Sequence, residues 1–462
     1  MKPMRILVLG GTRFLGRAIV DAALGRGDTV TLFNRGKSNP GLFPGLETVT
    51  GDRTADLSAL DGRAWDAVFD VACYDPAVAR LSAEAFEGRA GRYVFVSTVS
   101  VYADQNTTAA QLEDAPVAQL RDGMEFPENY GPNKALCERV VQETYGDRAL
   151  IGRPGLITGP HDPTDRVPYW PRRIARGGLV LAPGDPAALV QFIDVRDLAG
   201  WLADACHAGR GGVYNLTGTP LPFGTMLDLC KTATYSDAEL SWIPDGRLID
   251  AGVDPGMGIP LWIGEPGYDA FNDVDSSRAV AAGLACRPVT ETLRDTLAWD
   301  LARGGPAPSD EGLSAAEEER LLRELAASLP RRLSQRSLPA SAAPLTGRCG
   351  AGVPPPARSA PRTRRASAVM TSMTSVHLTA APTAARSRAA RDSTGSPPRA
   401  GRRSASALPS APVRSRPARQ DPGGRRRYQG GTALSCTVRG RWPTRAEKPG
   451  QTGTGTMKTH GP

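Results

Sequence analysis

The fold is decided near the N-terminus, by the stretch Arg5-Ile6-Leu7-Val8-Leu9-Gly10-Gly11-Thr12-Arg13-Phe14-Leu15-Gly16. A short apolar run ends in glycines and continues into an amphipathic segment from Arg17 to Leu24. This pattern predicts a strand, a tight turn and a helix, with the last glycine allowing the helix to pack close to the strand. Free backbone N–H groups at the positive end of a helix dipole suit a pyrophosphate. A lone glycine-rich turn is a weak signal, but its place after a clean apolar run favours a nucleotide cofactor.

The composition divides the chain of 462 residues near residue 330. Beyond it, Arg, Ser, Pro, Ala and Gly dominate, and 25 Lys and Arg against 3 Asp and Glu give +22. The whole chain carries +8, so residues 1–330 carry −14. We expect residues 331–462 to be a disordered basic tail, because they cannot bury enough apolar surface to offset chain entropy. Nucleic-acid binding through phosphates is one alternative for this tail; a solvated tail, or a GC-rich region translated in a wrong or extended frame, are the others.

Cysteine and histidine usage bears on metals and location. The seven cysteines and four histidines are scattered, with no two cysteines at metal-ligand spacing. An odd number of cysteines fits free thiols in a reducing cytoplasm better than a disulfide framework. The first apolar run is too brief for a signal peptide, and no stretch approaches the ~18 apolar residues of a membrane helix. We therefore expect a soluble, cytoplasmic protein with no metal site and no membrane partner.

Short apolar runs recur along the first third of the chain. They lie at Thr29–Phe33, Ala67–Ala72 and Tyr93–Ser97, with helix-like segments such as Val78–Phe86 between them. Nearly continuous apolar strands that alternate with helices predict an α/β fold with a doubly wound parallel sheet, of Rossmann type, covered by helices on both faces. A ligand is then expected at the carboxyl ends of the strands.

The end of the second predicted strand bears on which dinucleotide is preferred. An acidic side chain there favours NAD, whereas a nearby arginine accommodates the additional phosphate of NADP. This chain has Asn34 and Arg35 at that point, and Arg13 lies in the glycine turn. These residues predict NADP as the cofactor, with NAD as the other candidate. A solvated loop arginine is the alternative explanation for Arg35.

A second motif predicts proton chemistry. Thr98 follows the strand Tyr93–Ser97, and Tyr130 and Lys134 stand four residues apart on what is predicted to be one helical face. A nearby ammonium is expected to lower the pKa of the Tyr130 phenol from its usual value of ~10. Tyr130 would then move a proton near neutral pH, while the Thr98 hydroxyl holds the substrate oxygen. Alone, Tyr-x-x-x-Lys is usually a surface pair; here it follows the glycine turn and the strands in order.

With these motifs, the chain resembles the short-chain dehydrogenase/reductase superfamily, in its extended or atypical NAD(P)-dependent epimerase/dehydratase branch. Gly51-Asp52-Arg53 after the third strand, Arg153–Pro160, and Gln191–Ala199 are similar to further elements of that branch. The resemblance covers about residues 4–303. It implies that Tyr130 is the acid/base, that Thr98 orients the substrate oxygen, and that Lys134 also binds the nicotinamide ribose. The residues that it implies for cofactor binding are Gly10, Thr12, Arg13, Phe14, Leu15, Gly16, Asn34, Arg35, Asp52, Arg53, Tyr130 and Lys134.

One departure separates this chain from the common family pattern. The family's turn is Gly-x-x-Gly-x-x-Gly, and here Arg13 stands at the middle glycine. This form resembles an atypical subgroup that includes poorly characterised reductases and relatives of chloroplast stem-loop-binding proteins, which bind RNA. Two hypotheses follow: an oxidoreductase or epimerase/dehydratase acting on a small hydroxy or keto compound or a sugar nucleotide, or a non-catalytic cofactor-binding or RNA-binding protein. The family also implies a possible homodimer through the helix bearing Tyr130.

The motifs suggest a division of the chain. We predict an NAD(P)-binding domain over residues 1–155, with its strands and helices interleaved to about residue 220, and a smaller substrate-binding lobe over residues 156–305. Ser314-Ala315-Ala316-Glu317 resembles a capping box that begins a surface helix within residues 306–330.

Cys73 and Tyr74 follow the fourth strand, where the family contacts the cofactor, although structural packing is equally expected for Cys73.

Overall fold

The computed structural model describes residues 2–104, 110–121, 129–264, 269–305 and 312–325. The predictions for the tail 331–462 and for both ends of the segment 306–330 lie outside the described residues. Among the described residues, no helix is long and apolar enough to cross a membrane.

Strands and helices alternate through the first half of the chain, as the sequence predicts. The strands are β1 (Arg5–Leu9), β2 (Thr29–Asn34), β3 (Glu47–Thr50), β4 (Trp65–Asp70), β5 (Ala90–Val96), β6 (Ala149–Pro154), β7 (Leu156–Thr158), β8 (Leu179–Pro183), β9 (Leu189–Val190), β10 (Phe192–Asp194), β11 (Gly212–Leu216), β12 (Leu221–Pro222) and β13 (Glu239–Ile243). The helices are α1 (Phe14–Gly25), α2 (Pro76–Phe86), α3 (Tyr130–Tyr145), α4 (Tyr169–Ala175), α5 (Val195–His207), α6 (Phe223–Thr234), α7 (Asp245–Asp250), α8 (Ser277–Ala281), α9 (Val289–Ala302) and α10 (Ala315–Leu325).

Seven strands form one sheet in the order β3-β2-β1-β4-β5-β6-β11. All its pairs are parallel, and the register places Leu9 beside both Phe33 and Asp70, and Asp70 beside Phe95. The carboxyl ends of β1, β2, β4 and β5 therefore meet at one edge. The predicted doubly wound parallel sheet is confirmed, and the order reverses beside β1, where such folds bind ligands.

The two faces of the sheet are covered by different helices. Ile6 and Val8 of β1 are buried in one apolar cluster with residues of α1 and α5, whereas Leu7 and Leu9 are buried in another with residues of α2 and α3. Side chains alternate across a strand, so a continuous apolar run fills both layers. This burial on both faces explains why the strands are apolar throughout.

The glycine turn brings α1 against β1. A Cβ on Gly16 would lie 2.8 Å from the backbone N of Gly11, and a Cβ on Gly11 would lie 2.7 Å from Leu32 Cδ2. Gly10 and Gly11 have backbone φ angles of +119° and +94°, which residues other than glycine rarely adopt. The sequence prediction that these glycines permit a tight turn and a close helix is confirmed.

A separate apolar cluster is formed by residues between positions 167 and 321. It includes residues of β8, α4, α6 and β13, and Trp170 is fully buried at its centre. Between these elements the chain returns to the large sheet, because α5 packs on α1 and β11 pairs with β6. Arg153 and Pro154, the first residues of the family-like segment Arg153–Pro160, are the last two residues of β6.

The last described helix, α10, has the expected apolar stripe but a different cap. The Ser314 side chain accepts a hydrogen bond from the Glu317 backbone N–H at 3.2 Å, as a capping residue should. The Glu317 carboxylate instead accepts from Arg320 at 2.7 Å. Glu318 is buried and forms an ion pair with Arg173. The charged residues of α10 therefore do not all face solvent.

Candidate functional site

Tyr130 and Thr98 come together at the carboxyl edge of the sheet. Thr98 follows β5 and Tyr130 is the first residue of α3, and the Thr98 side chain lies close enough to the phenol to act on its pKa. Gly131 makes this approach possible, because a Cβ there would collide with the Ser100 carbonyl. The Thr98 hydroxyl also accepts a hydrogen bond from the Ser100 backbone N–H at 3.1 Å. The turn after β5 therefore fixes Thr98, and Thr98 in turn contacts the phenol.

Lys134 lies beneath this pair and is only 1% exposed. Its ammonium donates hydrogen bonds to the carbonyls of Cys73 at 2.9 Å and Val96 at 2.5 Å. It also lies 4.3 Å from the centroid of the Phe95 ring, a cation–π contact. Lys134 thus connects α3 to the ends of both β4 and β5, and these contacts satisfy a buried charge.

The pKa of Tyr130 moves in the direction opposite to the sequence prediction. Burial of the phenol is the largest cause and raises the pKa of Tyr130, and neighbouring Tyr74 raises it further. The neighbouring Thr98 hydroxyl and the positive charge of Arg166 lower the pKa of Tyr130, but without overcoming burial. Burial also lowers the pKa of Lys134. The expected lowering by an ammonium was wrong, because desolvation dominates and the ammonium is bonded to backbone carbonyls.

The start of α1 has the properties expected of a phosphate site. Its N-cap residue, Arg13, makes no capping hydrogen bond with its side chain, so the first N–H groups of the helix remain available. The Asn39 side chain donates a hydrogen bond of 2.7 Å to the Thr12 carbonyl and so stabilises the glycine turn. Leu15 is buried in the core, so any contact it makes with a ligand comes from its backbone. Phe14 has φ of +33°, an unusual conformation at the same turn.

Beside this turn, β2 ends in the residues expected to face an adenosine. Asn34 accepts a hydrogen bond from the Gly36 backbone N–H at 2.8 Å, which closes the turn that carries Arg35. Asp52 follows β3, is exposed, and accepts from the Thr54 backbone and hydroxyl at 3.0 and 2.8 Å. These hydrogen bonds lower the pKa of Asp52, and the positive charges of Arg35 and Lys37 contribute. Asn34, Arg35 and Asp52 therefore lie on neighbouring loops at one edge.

Arg53 has a different environment from the other predicted cofactor residues. Its guanidinium donates two hydrogen bonds of 2.6 Å to Asp70 at the end of β4 and a third, of 3.1 Å, to Ser82. Tyr93 donates to the same carboxylate at 2.8 Å. Asp70 is fully buried, so the primary contact of Arg53 is a buried ion pair beneath the cofactor edge.

Two residues near Tyr130 were not predicted to act on it, although Tyr74 was expected where the family contacts the cofactor. Tyr74 packs its ring 5.9 Å, centroid to centroid, from the ring of Tyr130. Arg166, from the loop between β7 and α4, is close enough for its charge to act on the Tyr130 phenol. An aromatic residue directly after a buried strand was a signal for Tyr74, whereas nothing in the local pattern distinguishes Arg166 from other loop arginines.

Comparison with known proteins agrees with this architecture. A model of the NAD dependent epimerase/dehydratase family matches residues 76–217. The 2-alkyl-3-oxoalkanoate reductase of Stenotrophomonas maltophilia (strain K279a) is 30% identical over 253 residues, which cover 49% of this chain and 74% of that protein. The chloroplast stem-loop binding protein of 41 kDa b from Arabidopsis thaliana is 26% identical over 215 residues, covering 42% of this chain and 53% of that protein.

A solved structure supports the fold. The UDP-N-acetylglucosamine 4-epimerase from Methanobrevibacter ruminantium M1, in complex with UDP-N-acetylmuramic acid, superposes with a TM-score of 0.52 at 18% identity. The match covers 66% of this chain and all of the epimerase chain. At this identity the likeness establishes the shared fold alone.

Proposed function

This chain belongs to the NAD-dependent epimerase/dehydratase family, and from that premise we propose that it is an NAD(P)-dependent reductase, or an epimerase/dehydratase, acting on a small hydroxy or keto substrate. Thr98, Tyr130 and Lys134 are the residues to which we assign the chemistry. The reductase among its relatives acts, by its name, on a 2-alkyl-3-oxoalkanoate. A keto acid of this class is therefore the first substrate to test, and a sugar nucleotide is the second.

The residues at the sheet edge fit a dinucleotide. The start of α1 presents N–H groups without a side-chain cap, and the glycines at positions 11 and 16 bring that helix close to β1. Arg13 supplies a positive charge at the turn. We assign Lys134 to the nicotinamide ribose on the family resemblance alone, because its ammonium is bonded to the carbonyls of Cys73 and Val96. When bound, the cofactor supplies hydride transfer to or from the substrate carbon.

Tyr130 has the environment of a proton donor. Its raised pKa keeps the phenol protonated at neutral pH, which suits donation to a carbonyl oxygen during reduction. Thr98, which lies beside that phenol, would hold the same oxygen. Two hydrogen bonds from Lys134 to backbone carbonyls tie α3 to the ends of β4 and β5. These bonds help to keep the Tyr130 phenol at the carboxyl edge of the sheet.

The closeness of the Thr98 side chain to the Tyr130 phenol is the observation that carries this proposal. The two residues are 32 positions apart, and a chance Tyr-x-x-x-Lys pair on a helix surface would have no reason to face a strand-end hydroxyl. The pair lies at the carboxyl edge of the sheet, which is also where the glycine turn lies. Catalytic groups and the proposed cofactor site therefore share one edge.

The decisive experiment compares Tyr130→Phe with Tyr235→Phe in the full chain. Tyr235 is 93% exposed, so its variant makes the same chemical change away from the site. With a 2-alkyl-3-oxoalkanoate and NADPH or NADH, we expect Tyr130→Phe to lower kcat by about 10²–10⁴-fold, the contribution of a general acid. Tyr235→Phe should match the wild type. Full turnover by Tyr130→Phe would refute the assignment.

We further propose a preference for NADPH over NADH. Arg13 and Arg35 are the cations at the turn and at the end of β2, and Arg35 lies on the surface where a phosphate could reach it. Calorimetric titration of the wild type and Arg35→Ala with both cofactors tests this proposal. Arg35→Ala should weaken NADPH binding and leave NADH binding unchanged. An equal effect on both cofactors, or tighter binding of NADH by the wild type, would contradict it.

RNA binding is the second candidate, favoured by the similarity to a stem-loop binding protein. Gel-shift measurements with a stem-loop RNA, on the wild type and Tyr130→Phe, separate the two functions. A protein that binds RNA equally in both forms and turns over no keto substrate would support the second candidate. A chain ending near residue 327 would show whether any RNA binding requires the basic tail.

A further inference from the structure

Tyr74 occupies the space between the glycine turn and the candidate catalytic helix. It follows β4 directly, and its ring centroid lies 5.9 Å from that of Tyr130, with the planes tilted by 37°. Arg13 is close enough for its charge to lower the pKa of Tyr74, against the larger raising effect of burial. Tyr74 nevertheless keeps 36% of its surface exposed. One part of the residue thus covers Tyr130 while another part faces solvent.

The backbone beside Tyr74 is tied to the same site. The carbonyl of the preceding residue, Cys73, accepts the hydrogen bond from Lys134 at 2.9 Å. The Lys134 ammonium also lies 5.4 Å from the centroid of the Tyr74 ring, within cation–π range. Tyr74 therefore contacts both members of the Tyr-x-x-x-Lys pair, from an element other than α3.

We propose that Tyr74 is a positioning residue, whose ring shields the Tyr130 phenol from water and holds it against Thr98. Its exposed part then lies on the side of the glycine turn, near Arg13. This inference rests on the proposed function for the meaning of Tyr130, although the shielding itself does not require turnover. The family resemblance places Tyr74 where the cofactor is contacted, and the role proposed here, toward the Tyr130 phenol, goes beyond it.

The physical consequence is a change in how Tyr130 ionises. Three groups act on its phenol: Tyr74 from the segment after β4, Thr98 from the end of β5, and Arg166 from the loop before α4. Lys134, on the same helix as Tyr130, directs its charge at two backbone carbonyls. Removing the Tyr74 ring admits water to the phenol. Hydration stabilises phenolate over phenol in a formerly buried position, so the pKa of Tyr130 should fall.

The experiment follows phenolate absorbance near 295 nm during a pH titration of the full-length protein. Wild type, Tyr74→Ala and Tyr74→Phe are each compared with the same protein carrying Tyr130→Phe. Each difference isolates the ionisation of Tyr130 from that of the other tyrosines. We expect Tyr74→Ala to lower the Tyr130 midpoint by about one pH unit or more, a tenfold change in ionisation. Tyr74→Phe keeps the ring and should lower it by less than half as much.

The control for folding is the circular dichroism spectrum of each variant at the start of the titration. If Tyr74→Ala fails to fold, Tyr74→Leu replaces it, because leucine keeps apolar volume without an aromatic face over Lys134. A Tyr130 midpoint in Tyr74→Ala or Tyr74→Leu equal to that of the wild type would overturn the inference. An equal fall in the Ala and Phe variants would also overturn it, since the hydroxyl and not the ring would then matter.

Failure of this inference is distinguishable from failure of the proposed function. The titration contains no substrate, so a shifted midpoint in a protein without turnover would support the role of Tyr74 and count against the reductase. Conversely, Tyr74→Ala could be found to leave the midpoint of Tyr130 ionisation unchanged in a protein whose turnover depends on Tyr130. That result would support the reductase and refute the positioning role of Tyr74. In the active protein, the shift should also appear as a displaced pH profile of kcat in Tyr74→Ala.

Discussion

Replacing Asp70 by alanine should strongly destabilise the fold, because Asp70 is the centre of a buried polar cluster. Its carboxylate accepts hydrogen bonds of 2.6, 2.6 and 2.8 Å, two from Arg53 and one from Tyr93. The Asp70 side chain is fully buried and the Arg53 side chain is 15% exposed. The alanine variant leaves a guanidinium and a phenol hydroxyl without their acceptor in the middle of the sheet edge.

The size of the effect follows from what is left unpaired. Removing one partner of a buried ion pair costs about 3–5 kcal/mol, since the remaining charge stays desolvated. The Tyr93 hydroxyl adds to this cost, although contributions within one network are not additive. Ser82 still accepts one hydrogen bond from Arg53, so some compensation remains. We therefore expect a loss of about 3–5 kcal/mol in the free energy of unfolding for Asp70→Ala.

Urea unfolding of the full chain, followed by tryptophan fluorescence, measures this loss as a shift of the midpoint at constant slope. Arg53→Met combined with Asp70→Leu provides the matched control, because it removes both charges and keeps apolar volume. Replacement of a whole buried pair by apolar residues is often neutral or stabilising, so the double variant should recover most of the stability.

Two outcomes would refute this reasoning. A loss below ~1 kcal/mol for Asp70→Ala would mean that Arg53 reaches solvent or another acceptor at little cost. A double variant as unstable as Asp70→Ala would mean that the residues act through shape and not through charge. The same variants address the predicted cofactor role of Arg53: normal cofactor binding by a stable double variant would argue that Arg53 makes no direct contact.

Three further predictions concern the frame around the site. Gly16→Ala should lower stability by about 1–3 kcal/mol and weaken cofactor binding, because its Cβ would lie 2.8 Å from the Gly11 backbone; thermal unfolding and titration with NADPH measure both effects. Glu138→Ala removes the carboxylate bonded by Arg153 at 2.7 Å, with both side chains at most 6% exposed, and should cost about 3–5 kcal/mol in urea unfolding. Burial lowers the pKa of His161 in the folded state, so the unfolded chain binds more protons below pH 6.5 and stability falls as pH falls through that range; the Tm of the wild type should drop more between pH 7.5 and 5.5 than that of His161→Asn.

The predicted elements agree with the structure to within a few residues at their ends. The strand predicted at Ala67–Ala72 is Trp65–Asp70, and that predicted at Tyr93–Ser97 is Ala90–Val96. The predicted and observed strand ends differ because an apolar run can continue past the last hydrogen-bonded residue of a strand or begin after the first one. Composition and periodicity report which residues avoid water, and only the partner strand determines where the ladder ends.

Particular site residues show a similar division. The order of Thr98, Tyr130 and Lys134 was evident along the chain, and the structure brings the side chains of the first two close together. Their roles in catalysis remain proposals. The direction of the Tyr130 pKa shift was predicted wrongly, because the argument counted a charge one helical turn away and omitted desolvation. Tyr74 could be located at a strand end from the sequence, but its contact with Tyr130 could not be found there.

The sequence by itself determined the features that repeat locally. Continuous apolar runs separated by helical segments specify a parallel sheet covered on both faces, and glycines at positions 10, 11 and 16 specify the turn into α1, because these signals depend on neighbours a few residues apart. Only the tertiary structure decided the environment of each polar group. Lys134 meets the carbonyls of Cys73 and Val96, and Arg53 meets Asp70, because the strand register brings distant segments to one edge. Burial there sets the direction of the pKa shifts, and burial depends on the whole fold and not on any short stretch of sequence.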